Sequence, residues 1–167
     1  MKKKQMEWSK RFYTPDVSEF KVGFRYQYKQ LDEVQWTFDV IKEEDYEIVN
    51  GDCRIAEIFR DLKSENKKVL YRIKMLDSDD VMMYGFSKTT PIFVHNKNYN
   101  MFTLRGKYNL VLYNDGRQST VNISDNHDNI LFDGIIMNVN DLEEILDRLD
   151  IISSGSYNRK LTMLNYE

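Results

Sequence analysis

Apolar residues recur at every second position in three parts of the chain. The alternation begins at Val22 in residues 22–29, returns at Val34 in residues 34–41, and appears again over residues 69–75. A period of two is typical of strands that bury one face. Only a short polar turn separates the first two segments. We therefore predict that 22–29 and 34–41 form an antiparallel hairpin with aromatic cross-strand pairs on its inner face.

Two other segments repeat at the spacing of a helix. Their apolar residues recur at i, i+3, i+4 and i+7, which places them on one helical face; they are Ile55, Ile58, Phe59 and Leu62 in the first and Leu142, Ile145, Leu146 and Leu149 in the second. Asp52 is the predicted N-cap of the first helix, and Asn138 or Asn140 that of the second. A shorter helix is predicted after Asp77 or Ser78, with Gly85 in the left-handed position after its end.

Residues 91–137 predict a β-meander. Asn114, Asp115 and Gly116 separate two alternating runs, 107–113 and 117–124, and Asp-Gly is a strong hairpin signal. A second polar turn over 125–129 leads into a further run. The predicted fold class is α+β: a mainly antiparallel sheet of five to seven strands with two or three packed helices.

Length and composition predict one domain. The chain has 167 residues, 41% of them hydrophobic, with only two Pro and seven Gly, which is enough apolar material for one core. We predict a single α+β domain over 13–152, a basic N-terminal arm over 1–12 and a flexible C-terminal tail over 153–167. Both long helices are expected to pack on one sheet; the predicted buried set is Ile55, Phe59, Leu142, Leu146 and Leu149 against Phe24, Tyr26, Trp36, Phe38 and Ile73.

Cysteine content and hydropathy predict an intracellular protein. Cys53 is the only cysteine, so no internal disulfide forms and nothing indicates an oxidising compartment. The basic first residues are followed by no apolar run of a signal peptide, and no stretch approaches the roughly 20 apolar residues that span a bilayer. We expect a cytoplasmic protein, in its own cell or a host's, with no membrane partner.

Positive charge is concentrated at the N-terminus of a chain whose net charge is −3. The candidate partner-binding residues are Lys2, Lys3, Lys4, Trp8, Lys10 and Arg11. Such an arm either contacts an acidic protein face or nucleic acid through charge, or is a solvated terminus. A protein partner is favoured over nucleic acid because the chain as a whole is acidic.

Few residues suit catalysis, and no cofactor is predicted. Phosphate-binding glycine loops are missing, and one Cys with two His supplies too few zinc ligands. Cys53 is expected to be a packed thiol. The densest acidic group, Asp77, Asp79 and Asp80, is expected to cap the short helix. The alternative is that it binds Mg²⁺, with His127, in a divergent metal-dependent nuclease or phosphoesterase.

Two further patterns have a structural and a functional interpretation. Residues 15–21 contain the letters of a PD…(D/E)xK nuclease motif, but its halves are only three residues apart. Residues 24–29 interleave aromatic and basic side chains, as a base-stacking surface does. On a strand these two kinds of side chain point to opposite faces, so the aromatic residues are expected in the core.

Three blocks of the chain resemble small uncharacterised α+β proteins encoded by bacteriophages, many of them phages of gut bacteria. The blocks begin with YTP at 13–15 and EFKVGFRYQY at 19–28, continue with RIKMLD at 72–77, and end with FDG at 132–134 and the helix after it. The resemblance implies a mobile-element origin, no known activity and no catalytic residue. The predicted function is that of a non-catalytic accessory protein. It binds a macromolecular partner as an inhibitor or adaptor of host machinery, or serves as a minor virion or cargo protein.

Overall fold

The computed structural model describes residues 12–115 and 117–152, which belong to two compact units. The described residues up to Lys74 form the first unit, and those from Met75 form the second. The α+β class is confirmed. The single sheet of five to seven strands is not: the strands form two antiparallel sheets, of four and six strands. The domain boundaries stay predictions, because compactness does not test whether either unit folds alone.

The first unit is a four-stranded sheet with one α-helix. Its elements are β1 (Phe12–Tyr13), β2 (Arg25–Gln30), β3 (Thr37–Val40), α1 (Arg54–Lys63) and β4 (Val69–Lys74), in the sheet order β1-β4-β2-β3. The predicted hairpin is confirmed, since β2 pairs with β3. Phe24, Tyr26 and Ile73 are buried with Ile55 and Ile58 of α1.

The register of this hairpin differs from the prediction of aromatic pairs on an inner face. Tyr26 lies opposite Asp39, and Phe38 lies opposite Gln27. Cross-strand neighbours share a face of the sheet, and successive residues alternate between faces. Phe38 therefore lies on the face opposite Tyr26, and Trp36, two residues earlier, lies on the same side as Phe38. Both are only partly buried, so their predicted place in the core beside Tyr26 is wrong.

The second unit is a six-stranded sheet with two α-helices. Its elements are α2 (Ser78–Met83), β5 (Ser87–Lys88), β6 (Ile92–Val94), β7 (Lys97–Leu104), β8 (Tyr108–Asn114), β9 (Ser119–Asp125), β10 (Ile130–Ile135) and α3 (Val139–Arg148). The order is β10-β9-β8-β7-β5, and β6 also pairs with β7. The predicted meander is confirmed. No helix in the described parts of the chain is both long and apolar enough to cross a bilayer.

The final helix packs in the second unit. Leu142 and Leu146 are fully buried in a cluster that includes Leu110 and Ile123, and Leu149 packs against the same cluster. The prediction that they pack on the sheet of Phe24 and Tyr26 is therefore wrong. Helical periodicity identifies the apolar face of a helix, but it carries no information about which of two sheets that face will cover.

Candidate functional site

The predicted acidic site at the start of α2 is a helix cap. The Asp77 carboxylate accepts hydrogen bonds from the backbone N–H groups of Asp79 at 2.9 Å and Asp80 at 3.2 Å. Asp80 accepts in return from the Asp77 N–H at 3.0 Å. This reciprocal pattern is a capping box. The predicted capping role of the cluster is confirmed, as are the N-cap role of Asn138 and the left-handed conformation of Gly85.

The turn that contains His127 is also held by local hydrogen bonds. The Asp125 carboxylate accepts from the side chain and backbone of Asn129 at 2.8 and 2.9 Å and from the His127 N–H at 2.8 Å. The bonds from Asn129 hold the pKa of Asp125 below the ordinary aspartate value. Within the described ranges, no three His, Cys, Asp or Glu side chains are grouped so that they could hold a metal ion.

The letters of the nuclease motif likewise belong to a turn. Asp16 accepts from the Ser18 N–H at 3.0 Å, and Glu19 accepts from the Asp16 N–H at 2.7 Å and from the Tyr13 hydroxyl at 2.6 Å. These bonds stabilise a single 3-10 turn over Val17–Glu19. The two carboxylates therefore have a structural role.

Cys53 is the N-cap residue of α1, one position after the predicted cap. Its side chain makes no capping hydrogen bond and packs, partly buried, against the core of the first unit. Asp52, the predicted cap, instead accepts from the Cys53 N–H at 2.9 Å and pairs with Arg60. The expectation of a packed thiol agrees with this position.

The candidate partner-binding residues of the basic arm lie outside the described residues. They are Lys2, Lys3, Lys4, Trp8, Lys10 and Arg11, and the flexible tail predicted over 153–167 is also outside. Their binding role stays a prediction. The aromatic residues of 24–29 behave as expected where described: Phe24 and Tyr26 are buried in the core and do not form a stacking surface.

A cation–aromatic stack on the first sheet was not foreseen. The Arg72 guanidinium lies 3.9 Å from the ring centre of Phe12 and 4.0 Å from that of Trp36. Arg72 also donates from Nε to the Gln27 side chain at 2.7 Å. Burial lowers the pKa of Arg72 to about 10. The rings and the cation stabilise one another. The alternating pattern of β2 and β4 predicted that this face of the sheet is polar, but it did not predict that its side chains are ordered by contacts with Arg72.

A cavity of about 200 Å³ lies between α1 and the sheet of the first unit. Three tyrosines line it, Tyr26 and Tyr28 from β2 and Tyr71 from β4. Glu57 and Asp61, one turn apart on α1, supply carboxylates to its wall. The three elements that supply these residues are far apart in sequence. The only sequence pattern that pointed to any of them was the alternation of tyrosines on β2.

Arg54, one of the residues that line this cavity, belongs to an ion-pair network. Arg54 pairs with Asp39, and its Nη1 lies 3.2 Å from Asp45 Oδ1. Arg54 also donates to the Tyr26 hydroxyl at 3.2 Å. Burial, followed by the charge of Asp39, raises the pKa of Tyr26; burial and the charge of Asp61 raise that of Tyr71. Both phenols therefore stay neutral at physiological pH.

The second unit has an exposed apolar hairpin. His95 and Asn96 have φ values of 49° and 61°, as the two-residue turn between β6 and β7 requires. On β6, Phe93 is 70% exposed, Ile92 45% and Val94 42%. Three consecutive exposed apolar residues on a short strand are unusual, because an edge strand normally limits contact with other chains through charge or proline.

The outer face of the six-stranded sheet continues this apolar surface. The strand registers place Ile92, Tyr99, Tyr113, Thr120 and Ile135 in one row across β6 to β10. The Tyr99 and Tyr113 rings lie 5.1 Å apart, and Ile135 is 56% exposed. None of the five belongs to the buried cluster of the unit. Phe93 lies opposite Asn98, so its side chain is on the other face of the sheet from this row. We call β6, with the row that continues from Ile92, the hairpin surface.

Comparison with known proteins found no match: no family model, no curated protein and no solved structure matches this chain.

Proposed function

We propose that this protein is a non-catalytic binding protein whose partner is another protein, contacted through the hairpin surface. The observation that carries the proposal is the exposure of Ile92, Phe93 and Val94 on a short strand at the edge of the sheet. Exposed apolar patches on soluble proteins mark interaction sites. An accessible strand edge can in addition accept an extended segment of a partner by strand addition.

The hydrogen-bonding pattern of β6 favours an extended peptide as the partner segment. Val94 lies opposite Lys97, next to the two-residue turn, and Phe93 lies opposite Asn98. In such a hairpin, the pair next to the turn exchanges backbone hydrogen bonds and the following pair does not. The N–H and C=O groups of Phe93 therefore point away from β7, where a partner strand would bond to them while the Phe93 ring packs on its side chains.

The acidic residues support binding over hydrolysis. A metal-dependent nuclease or phosphoesterase would use carboxylates that are available to a cation. Asp77, Asp80 and Asp125 instead accept hydrogen bonds from backbone N–H groups in a cap and a turn. A hydrolytic activity that requires these residues would support the alternative, a metal-dependent nuclease or phosphoesterase.

The resemblance to bacteriophage proteins supports a setting for this function. On this basis we propose that the protein works in a host cytoplasm, as an inhibitor or adaptor of host machinery, or in a virion as a minor or cargo protein. The basic arm then offers a second contact. A partner held by both would have an apolar edge for the hairpin surface and acidic groups for Lys2, Lys3 and Lys4.

Site-specific photo-crosslinking in the producing or infected cell tests the proposal. A photoreactive amino acid replaces Phe93 in one variant and exposed Lys67 of the first unit in a second. We expect one protein to be captured from position 93 and not from position 67. Its capture by full-length protein should fall at least tenfold with Phe93→Asp, which puts a charge in the apolar contact.

Two results would contradict the proposal. Equal crosslinking from positions 93 and 67 would mean that contact is not localised to the hairpin surface. Full retention of the partner by Phe93→Asp would mean that the contact does not depend on its apolar character. The substitution Asn66→Asp, at an exposed position beside Lys67 in the first unit, adds the same charge away from the hairpin surface and serves as the matched control.

A further inference from the structure

We infer that the tyrosine cavity of the first unit binds a primary alkylammonium group, supplied by a small amine or by a lysine side chain. The site consists of the three tyrosines, Glu57 and Asp61. It lies in the first unit, whereas the hairpin surface lies in the second. The inference therefore does not depend on the proposed function.

The charged groups around the cavity determine that its ligand is a cation. Four carboxylates, those of Asp39, Asp45, Glu57 and Asp61, lie at or beside the cavity, against one guanidinium. Arg54 is already held by Asp39 and Asp45, so its charge is matched before a ligand enters. The remaining carboxylates, Glu57 and Asp61, make the cavity attractive to a cation and unfavourable to an anion.

The aromatic walls determine the kind of cation. Tyr28 is only partly buried and lies opposite Tyr71 in the register of β2 with β4. The Tyr26 ring, 6.2 Å from Tyr28 and 6.1 Å from Tyr71 between centres, is itself buried and holds these two rings in place. Tyrosine faces attract ammonium groups through their π electrons, and they pack against alkyl chains. Mg²⁺ or Ca²⁺ would instead require about six oxygen ligands, and only two carboxylates line the wall. An organic cation uses both the rings and the acids.

The arrangement of acceptors favours a primary ammonium. Such a group carries three N–H donors, and Glu57 and Asp61 provide carboxylate oxygens on one side of the cavity. Asp61 already accepts one bond, from the Tyr71 hydroxyl at 3.1 Å, but a carboxylate has about four acceptor sites. This hydroxyl bond orients Asp61 and leaves acceptor capacity for the ligand.

The size of the cavity limits the ligand. Its volume, about 200 Å³, is below the range of roughly 300–1,000 Å³ that is typical of sites for drug-sized molecules. An ammonium with a short alkyl chain suits this space, whereas a nucleotide does not. The chain would lie along Ile58 and Val69, the aliphatic lining residues, with its charged end toward Glu57.

Titration of full-length protein with butylammonium, followed by amide NMR shifts, tests this inference. Butan-1-ol is the uncharged analogue of nearly equal shape. We expect butylammonium to shift the amides of β2, β4 and α1 and to bind at least tenfold more tightly than butan-1-ol. Equal affinity for the two, or shifts spread over all acidic surfaces, would overturn the inference.

Matched variants separate the site from general charge. Glu57 is exposed, so Glu57→Gln should fold normally and weaken butylammonium binding at least threefold. Asp61→Asn keeps an oxygen that can accept from the Tyr71 hydroxyl, and it should weaken butylammonium binding more than Glu57→Gln does. Glu65→Gln removes the same charge beyond the end of α1, outside the cavity, and should leave binding unchanged. Equal effects of Glu57→Gln and Glu65→Gln would contradict the site.

The source of the ammonium group is resolved by two peptides. One is an acetylated and amidated Ala-Lys-Ala tripeptide, and the other is the same peptide with an Nε-acetylated lysine. Binding at least tenfold tighter than butylammonium, and lost on Nε-acetylation, assigns the site to a protein lysine. Affinity no better than that of butylammonium assigns it to a small amine. Neither result alters the crosslinking test at Phe93, so the two proposals can fail separately.

Discussion

Replacement of Leu146 by alanine tests the packing of the second unit. Leu146 is fully buried in the cluster that joins α3 to the six-stranded sheet. The substitution removes three buried carbon groups, at about 0.8 kcal/mol each, which gives roughly 2.4 kcal/mol of lost transfer free energy. The cavity that remains adds to this loss. We expect the free energy of unfolding of the second unit to fall by about 3–4 kcal/mol.

The assay must distinguish the two units, because a chain with two compact bodies need not unfold in one step. Native-state hydrogen exchange with peptide-level mass spectrometry reports each unit separately. Amides of β8 and β9 should lose protection by at least a hundredfold, since each 1.4 kcal/mol corresponds to about a factor of ten.

Leu131→Ala is the matched control for Leu146→Ala. Leu131 is 37% exposed and lies at the irregularity in the pairing of β10 with β9, so its truncation should cost less than about 1 kcal/mol. A cost of less than about 1 kcal/mol for Leu146→Ala would mean that this side chain is not part of the core. Equal losses for the two leucines would also refute the prediction, because burial would then not determine the effect.

Two further predictions concern the acidic residues. Asp77→Ala removes the acceptor of two backbone N–H groups and should lower the free energy of unfolding of the second unit by about 1 kcal/mol, measured by native-state hydrogen exchange. Asp79→Asn should change it little, and equal effects would contradict the cap. The pKa of Asp125 lies below its unfolded value, so its stabilising contribution is complete above the unfolded pKa and is lost as pH falls through the folded pKa. NMR titration of the Asp125 carboxyl should show this lowered midpoint, and Asn129→Ala should raise it; an unchanged midpoint would contradict the assigned hydrogen bonds.

Local interactions explain why much of the secondary structure could be predicted. The capping box of Asp77 and Asp80, the N-cap of Asn138 and the left-handed Gly85 each depend on residues within four positions of one another. The hairpin of β2 with β3 and the meander follow from alternation and turn residues in the same way. Short-range hydrogen bonds and backbone preferences depend only on residues that are close in sequence, so the sequence predicts them.

The candidate sites could be predicted only in part. The acidic cluster at 77–80 was visible because its members are adjacent, and its capping role followed from that adjacency. The cavity joins Tyr26, Glu57 and Tyr71, which lie on three different elements, and no local pattern connects them. The exposed strand β6 resembled any buried strand, because hydropathy does not say whether an apolar run is covered.

The sequence by itself determined the α+β class, the type of most elements and the capping of α2 and α3. Tertiary structure alone decided that the strands divide into two sheets, that Leu146 packs beside Leu110 and not beside Tyr26, and that Phe38 faces away from Tyr26. A helix with one apolar face can pack on any apolar sheet of suitable size. A one-residue change of register moves every side chain of a strand to the other face of its sheet. Those choices are made by the packing of distant residues, which is a property of the folded chain as a whole.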